Sequence, residues 1–191
     1  AVSLFYSINV SANDQTFHHR MEVILSPDNS ELQVKDQIQV PKNNLNQTAA
    51  TRLEFSLHAG LSIMANKDVD IVAQTVNEAD VHAGPVPLKR DMVTLPAGQN
   101  TFTLTFSGRI HHAVQDPSLE YARSFSYSPG LISAEGVFLA NSTAWYPQFD
   151  EGMVSFNLDV RLPADWDVIS QGSLIQEHIT ETTRRVTWEE K

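Results

Sequence analysis

With no cysteine in the chain, metal ligation and acid–base chemistry fall to histidine and the carboxylates. The seven histidines are His18, His19, His58, His82, His111, His112 and His178. A hydrolytic zinc site commonly takes two histidines at i and i+4 of a helix, with a glutamate between them as general base. No His-Glu-x-x-His occurs here. His18-His19 and His111-His112 are adjacent in strand-like text, where neighbouring side chains point to opposite faces, so neither pair is expected to share an ion. Surface or half-buried imidazoles are expected instead. A Gly-x-Ser-x-Gly elbow, a Gly-rich phosphate loop and a Cys/His pair are all missing, and nothing marks out a Ser/His/Asp set. Asp36 stands out because it falls among Leu32, Val34, Ile38 and Val40 on one apolar face. A buried, unpaired carboxylate costs several kcal/mol. An edge strand, a bulge or a local partner is therefore expected at Asp36, with a functional carboxylate as the alternative.

The elements that would carry these residues are strands. Val154, Phe156, Leu158, Val160 and Leu162 alternate with Ser155, Asn157, Asp159 and Arg161, which gives one apolar and one wet face. All five apolar residues are expected to face the core, as are Phe102, Leu104 and Phe106, which alternate with threonines. Phe17, His19, Met21, Val23 and Leu25 share another face, and Ser26-Pro27-Asp28-Asn29-Ser30 reads as the turn into the next strand. Leu53, Phe55 and Leu57 alternate, and Leu61 and Ile63 continue the pattern. Shorter candidates lie at 69–72, 86–88 and 92–93, the first ten residues read as a strand, and a last strand starts near Thr182. Pro163-Ala164-Asp165-Trp166-Asp167 turns into a second short strand at Val168-Ile169, closed by Gly172. The best helix candidate, Gln115–Ser124, is short.

Many short strands with turns between them predict one all-β domain over 1–191, an antiparallel β-sandwich. Its 191 residues, 41% of them hydrophobic, suffice for a packed core. The net charge of −10, with no basic stripe, argues against nucleic acid as a partner. No apolar run approaches the ~20 residues that cross a bilayer as a helix.

Particular words resemble a known family. Trp145-Tyr146-Pro147-Gln148-Phe149-Asp150-Glu151-Gly152, the alternating strand, Pro163-Ala164-Asp165-Trp166 and Ser170-Gln171-Gly172 are similar to the end of the N-terminal β-domain of aminopeptidase N-like zinc metallopeptidases (gluzincins). There the text reads approximately Phe-Pro-Cys-Phe-Asp-Glu-Pro, a strand, Pro-x-Gly/Asp-Trp and Ser-x-Gly. Tyr146-Pro147 matches Phe-Pro and Phe149-Asp150-Glu151 matches Phe-Asp-Glu. Gln148 stands for Cys, Gly152 for Pro, and Thr143-Ala144 for the usual Ala-Arg. The resemblance implies a saddle-shaped sandwich that abuts a thermolysin-like catalytic domain and walls its cleft. It also implies a Gln or Glu, shortly before this segment, that meets the substrate's free amino terminus. Glu135 is the nearest carboxylate, and its small neighbours Ala134 and Gly136 permit close approach. Trp145, Tyr146 and Phe149 are candidates to face the catalytic domain, with a core corner as the alternative.

The family's Gly-Ala-Met-Glu-Asn strand is missing, as is its zinc motif. The reading is therefore a non-catalytic N-terminal domain, with no catalytic or metal residues and no cofactor of its own. The implied zinc belongs to a catalytic domain beyond residue 191, and the strand pattern at Trp188-Glu189-Glu190-Lys191 is expected to be followed by that domain. Its partners would be that domain and the amino terminus of a peptide substrate. The alternative is a free-standing extracellular β-sandwich for binding or adhesion, since sandwiches host unrelated functions.

Overall fold

A computed structural model describes residues 16–64, 69–73, 86–114, 128–150 and 152–191. The first ten residues, the helix candidate at 115–124 and His82 lie outside the described residues. The described residues form thirteen strands in order: β1 (Thr16–Ser26), β2 (Glu31–Gln39), β3 (Thr51–His58), β4 (Leu61–Ile63), β5 (Asp70–Ala73), β6 (Leu88–Leu95), β7 (Thr101–Arg109), β8 (Leu131–Ser133), β9 (Gly136–Phe138), β10 (Gln148–Phe149), β11 (Met153–Pro163), β12 (Ser173–Ile179) and β13 (Thr183–Glu190). Helical structure among them is limited to short 3-10 turns.

Two sheets face each other. One has seven strands in the order β12-β13-β11-β1-β2-β7-β4, the other four in the order β10-β3-β6-β5, and β8-β9 is a separate hairpin. Period-two alternation sets the inner layer of the large sheet. Phe17, His19, Met21 and Val23 of β1 are buried, with Leu32, Val34, Asp36 and Ile38 of β2 and Phe102, Leu104 and Phe106 of β7. The small sheet answers with Phe55, Leu57, Val93 and Leu95. Burial at ~25 cal/mol per Å² of apolar surface makes this layer the main source of stability. The Ser26–Ser30 segment turns as expected, through Pro27–Asn29 and a left-handed Ser30 (φ 55°). At the start of β4, Gly60 and Gly108 let two backbones touch, because a Cβ on Gly108 would collide with the Gly60 carbonyl oxygen.

The structure alters the sequence reading at three points. The sandwich is antiparallel at every pairing of the large sheet except one: β1 runs parallel to β11, Thr16 opposite Met153. Parallel neighbours need a crossover, and here the four-stranded sheet is built from chain lying between them. Second, only Leu158, Val160 and Leu162 of the β11 face are buried, whereas Phe156 is half-exposed and Val154 is 38% exposed. Among the described residues, the covering layer does not reach that end of the strand. Third, Val168-Ile169 forms no strand, and Ile169 is 90% exposed. The strand instead begins after Gly172, whose positive φ (85°) starts it, and all seven residues of β12 are exposed. An uncovered edge strand needs no apolar alternation, which is why the pattern there was silent.

Candidate functional site

Both groups of site residues named from the sequence lie on segments tied into one unit. Glu135 sits in the turn of the β8-β9 hairpin, exposed, with its N–H donating to Ser133 Oγ at 3.3 Å. Hydrogen bonding from Ser133, then from backbone, holds its carboxyl below the usual range, with a smaller contribution from the positive field of His111. At neutral pH it is a carboxylate on a protruding turn. The aromatic corner, 144–149, is anchored to the same hairpin. Thr143 Oγ1 donates to the Pro129 carbonyl at 2.6 Å, and a Cβ on Gly130 would strike Thr143. His112 N–H bonds Gly130 O at 3.0 Å, Ile132 N–H bonds Ile110 O at 2.9 Å, and His58 N–H bonds Ala144 O at 2.8 Å.

Within the corner the three aromatic candidates differ. Phe149 stacks on Phe17 with ring centroids 4.2 Å apart and lies 5.9 Å from Phe55, so its ring closes the sandwich between the sheets. Tyr146 meets His19 edge-on at 5.3 Å, and its hydroxyl donates to Asn141 Oδ1 at 2.6 Å. Burial, then the nearby Asp36, pushes the Tyr146 phenol up. Trp145 packs edge-on against Tyr146 and is half-buried.

Two histidine pairings were not legible as pairs. Asp36 has its partner in His19, with Nδ1 and Oδ2 2.7 Å apart and both side chains fully buried. The two strands are neighbours in the sheet, with His19 opposite Ile38 and Met21 opposite Asp36, so the contact is diagonal. Among the described residues, His19 Nε2 and Asp36 Oδ1 have no hydrogen-bond partner. Burial of His19, in place of the expected surface imidazole, follows from its place on the apolar face. His18 points the opposite way, between Ser155 Oγ (2.8 Å) and Asn157 Oδ1 (3.0 Å), and burial lowers it below the ordinary histidine range.

The second pair is His58 with His112, Nε2 to Nε2 at 2.8 Å. Gly60 N–H donates to His58 Nδ1 at 2.9 Å, so that nitrogen must carry a lone pair. The His58 proton is then on Nε2 and is donated to His112 Nε2, which places the His112 proton on Nδ1. Burial, and after it the positive field of His112, lowers His58 from 6.5 to about 4. This arrangement does not suit zinc. The His58 Nε2 that would ligate already holds a proton, and its other lone pair is taken. Among the described residues no three His, Asp, Glu or Cys side chains converge on one point.

The architecture defines a class: an all-β sandwich of one large mixed sheet and a smaller one, with a hairpin and aromatic corner at one end. Compared with known proteins, the chain matches no family model and no curated protein sequence. It does match solved structures. A two-domain M1 zinc metallopeptidase bound to L-tryptophan aligns at a TM-score of 0.52 and 15% identity, over 94% of this chain and 39% of that one. The M1 zinc metallopeptidase of Deinococcus radiodurans aligns at 0.51 and 14%, over 94% and 39%. Yeast LTA4 hydrolase aligns at 0.50 and 16%, over 92% and 27%. The chain thus spans about two fifths or less of the length of these proteins, and it has the fold of the N-terminal domain of M1 zinc metallopeptidases.

Proposed function

We propose that this chain is the non-catalytic N-terminal domain of an M1-type zinc metallopeptidase, packed on its catalytic domain and shaping one wall of the substrate cleft. The observation that carries the reading is the match of nearly the whole chain, 94%, to only 39% of a two-domain metallopeptidase. The aromatic corner supports it independently, because the sequence text that resembles the family is the segment that closes the sandwich at Phe149. The zinc and the hydrolytic step belong to the catalytic domain.

Glu135 is the proposed contact for the substrate's amino terminus. A carboxylate on an exposed turn suits an ammonium group, since a charge-assisted hydrogen bond is roughly twice as strong as a neutral one. Trp145 and Tyr146, anchored to the same hairpin, are the proposed neighbours of the catalytic domain, while Phe149 braces them from the core. The test has two arms. The parent reading frame should contain His-Glu-x-x-His after residue 191; its absence, or a run of further sandwich modules, points to an adhesion protein and removes the proposal. In the full-length protein, Glu135→Ala should cut kcat/KM for aminoacyl substrates at least tenfold and leave unfolding midpoints unchanged. Unaltered kinetics would take Glu135 out of the site.

A further inference from the structure

The end of β3 and the segment that follows β7 meet at one pair of rings. His58 closes β3 of the small sheet, and His112 lies just past the end of β7 in the large sheet. Their Nε2 atoms are 2.8 Å apart. Both residues also hold the part of the molecule that carries Glu135. The His112 N–H bonds the Gly130 carbonyl at 3.0 Å, Ser128 Oγ donates to the His112 carbonyl at 3.0 Å, and His111 bridges to Leu131 of the hairpin. The His58 N–H bonds the Ala144 carbonyl of the aromatic corner at 2.8 Å. The rings therefore tie the small sheet to the base of the β8-β9 hairpin. Every lone pair in the tie is in use. His58 Nδ1 accepts from Gly60 N–H at 2.9 Å, and His112 Nε2 accepts from His58 Nε2–H. Gly60 lies against the ring, where a Cβ would come within 3.0 Å of His58 Nδ1. A further proton has no free nitrogen to occupy, so it breaks one of these two bonds wherever it lands.

We infer that the His58–His112 pair is an acid-sensitive latch: it holds the Glu135 hairpin on the sandwich and lets go when it takes up a proton. Regulation of the amine contact by this latch rests on the function proposed above, whereas the latch itself does not. Among the described residues, the charged groups on the surrounding elements are engaged elsewhere. Lys89 faces Asp91 on β6 (3.7 Å), Arg109 faces Glu31 across β7 and β2 (3.1 Å), and His111 turns to the Ile132 carbonyl (3.4 Å). Glu135 sits on the hairpin turn, in the field of His111. Burial, and after it the field of His112, brings His58 from 6.5 to about 4. A ring released into water regains its ordinary affinity for protons, so acid favours the released hairpin between those two values. Glu135 is held below the usual carboxylate range. It therefore stays mostly ionised at pH 5, and its own titration does not account for a loss of contact there.

The test uses the full-length protein and hydrogen–deuterium exchange at pH 7 and pH 5, with each rate corrected for its intrinsic value. In the wild type, protection of the Ile132 and His112 amides, which bond Ile110 and Gly130, should fall about fivefold from pH 7 to pH 5. His58→Gln with His112→Gln should abolish that pH dependence, and His111→Gln should keep it. If the double variant does not fold, wild type and His111→Gln decide by themselves. Protection that does not change with pH, or that falls only in step with the amides of β1 and β2, overturns the latch and leaves the proposed function standing. So does a response that His111→Gln removes. Kinetics test the regulation. KM for a substrate with a free amino terminus should rise between pH 7 and pH 5 more in the wild type than in the double variant, with kcat moving alike in both. Equal KM profiles, with Glu135→Ala impaired, overturn the regulation. An unimpaired Glu135→Ala removes the proposed function and the regulation with it, and exchange still judges the latch.

Discussion

Protonating His58 should destabilise this domain, and the size of the effect follows from its geometry. The ring is 4% exposed, its Nδ1 accepts from Gly60 N–H, and its Nε2–H faces His112. A second proton would set Nδ1–H against the Gly60 N–H and place a charge in a buried site. The group is lowered from 6.5 to about 4 in the folded protein. For a lowered histidine the unfolded chain binds more protons between those values, so stability is full above 6.5 and falls as pH drops toward 4. Between pH 7 and pH 5 the linkage amounts to about 2 kcal/mol, and solvent screening reduces it to about 1 kcal/mol. Urea unfolding at pH 7, 6 and 5, on wild type and His58→Gln, measures it. The glutamine variant keeps polar groups at the site and removes the titration. The wild type should lose about 1 kcal/mol more than the variant over that range. Parallel losses in the two proteins would refute the assigned tautomers and the cause of the low pKa.

The buried pair of His19 and Asp36 should behave non-additively. Asp36→Ala should cost about 3–5 kcal/mol by stranding the imidazole, whereas His19→Leu with Asp36→Leu should cost less than either single change, as chemical denaturation would show. Phe149→Ala should destabilise by about 2–4 kcal/mol, because its ring sits between Phe17 and Phe55; a loss below 1 kcal/mol would mean that the corner does not close the core. Gly130→Ala should drive a methyl into Thr143, loosening the bond to Pro129, and appear as faster amide exchange across the β8-β9 hairpin.

The strand content was legible because alternation is a local property. Phe102, Leu104 and Phe106 are buried as their spacing requires, and Ser26–Ser30 turns where Pro, Asp and Asn cluster. The same rule failed at Val154, for a simple reason. Alternation reports which residues share a face, not whether another layer lies over it. Asp36 announced itself as an anomaly, yet its resolution by His19 could not be read, since a diagonal neighbour exists only once β1 and β2 are in register. The His58–His112 pair, 54 positions apart, left no local signal at all.

The sequence by itself determined an all-β chain, the faces of its strands, the absence of a His-Glu-x-x-His site and the text of the aromatic corner. Tertiary structure alone decided the parallel seam between β1 and β11, the place of β12 at the sheet's edge, and the anchoring of Glu135's hairpin to that corner. Those are matters of pairing between distant segments. Hydrogen bonds along a strand edge are chemically alike, so which edges meet is settled by the packing of the whole core.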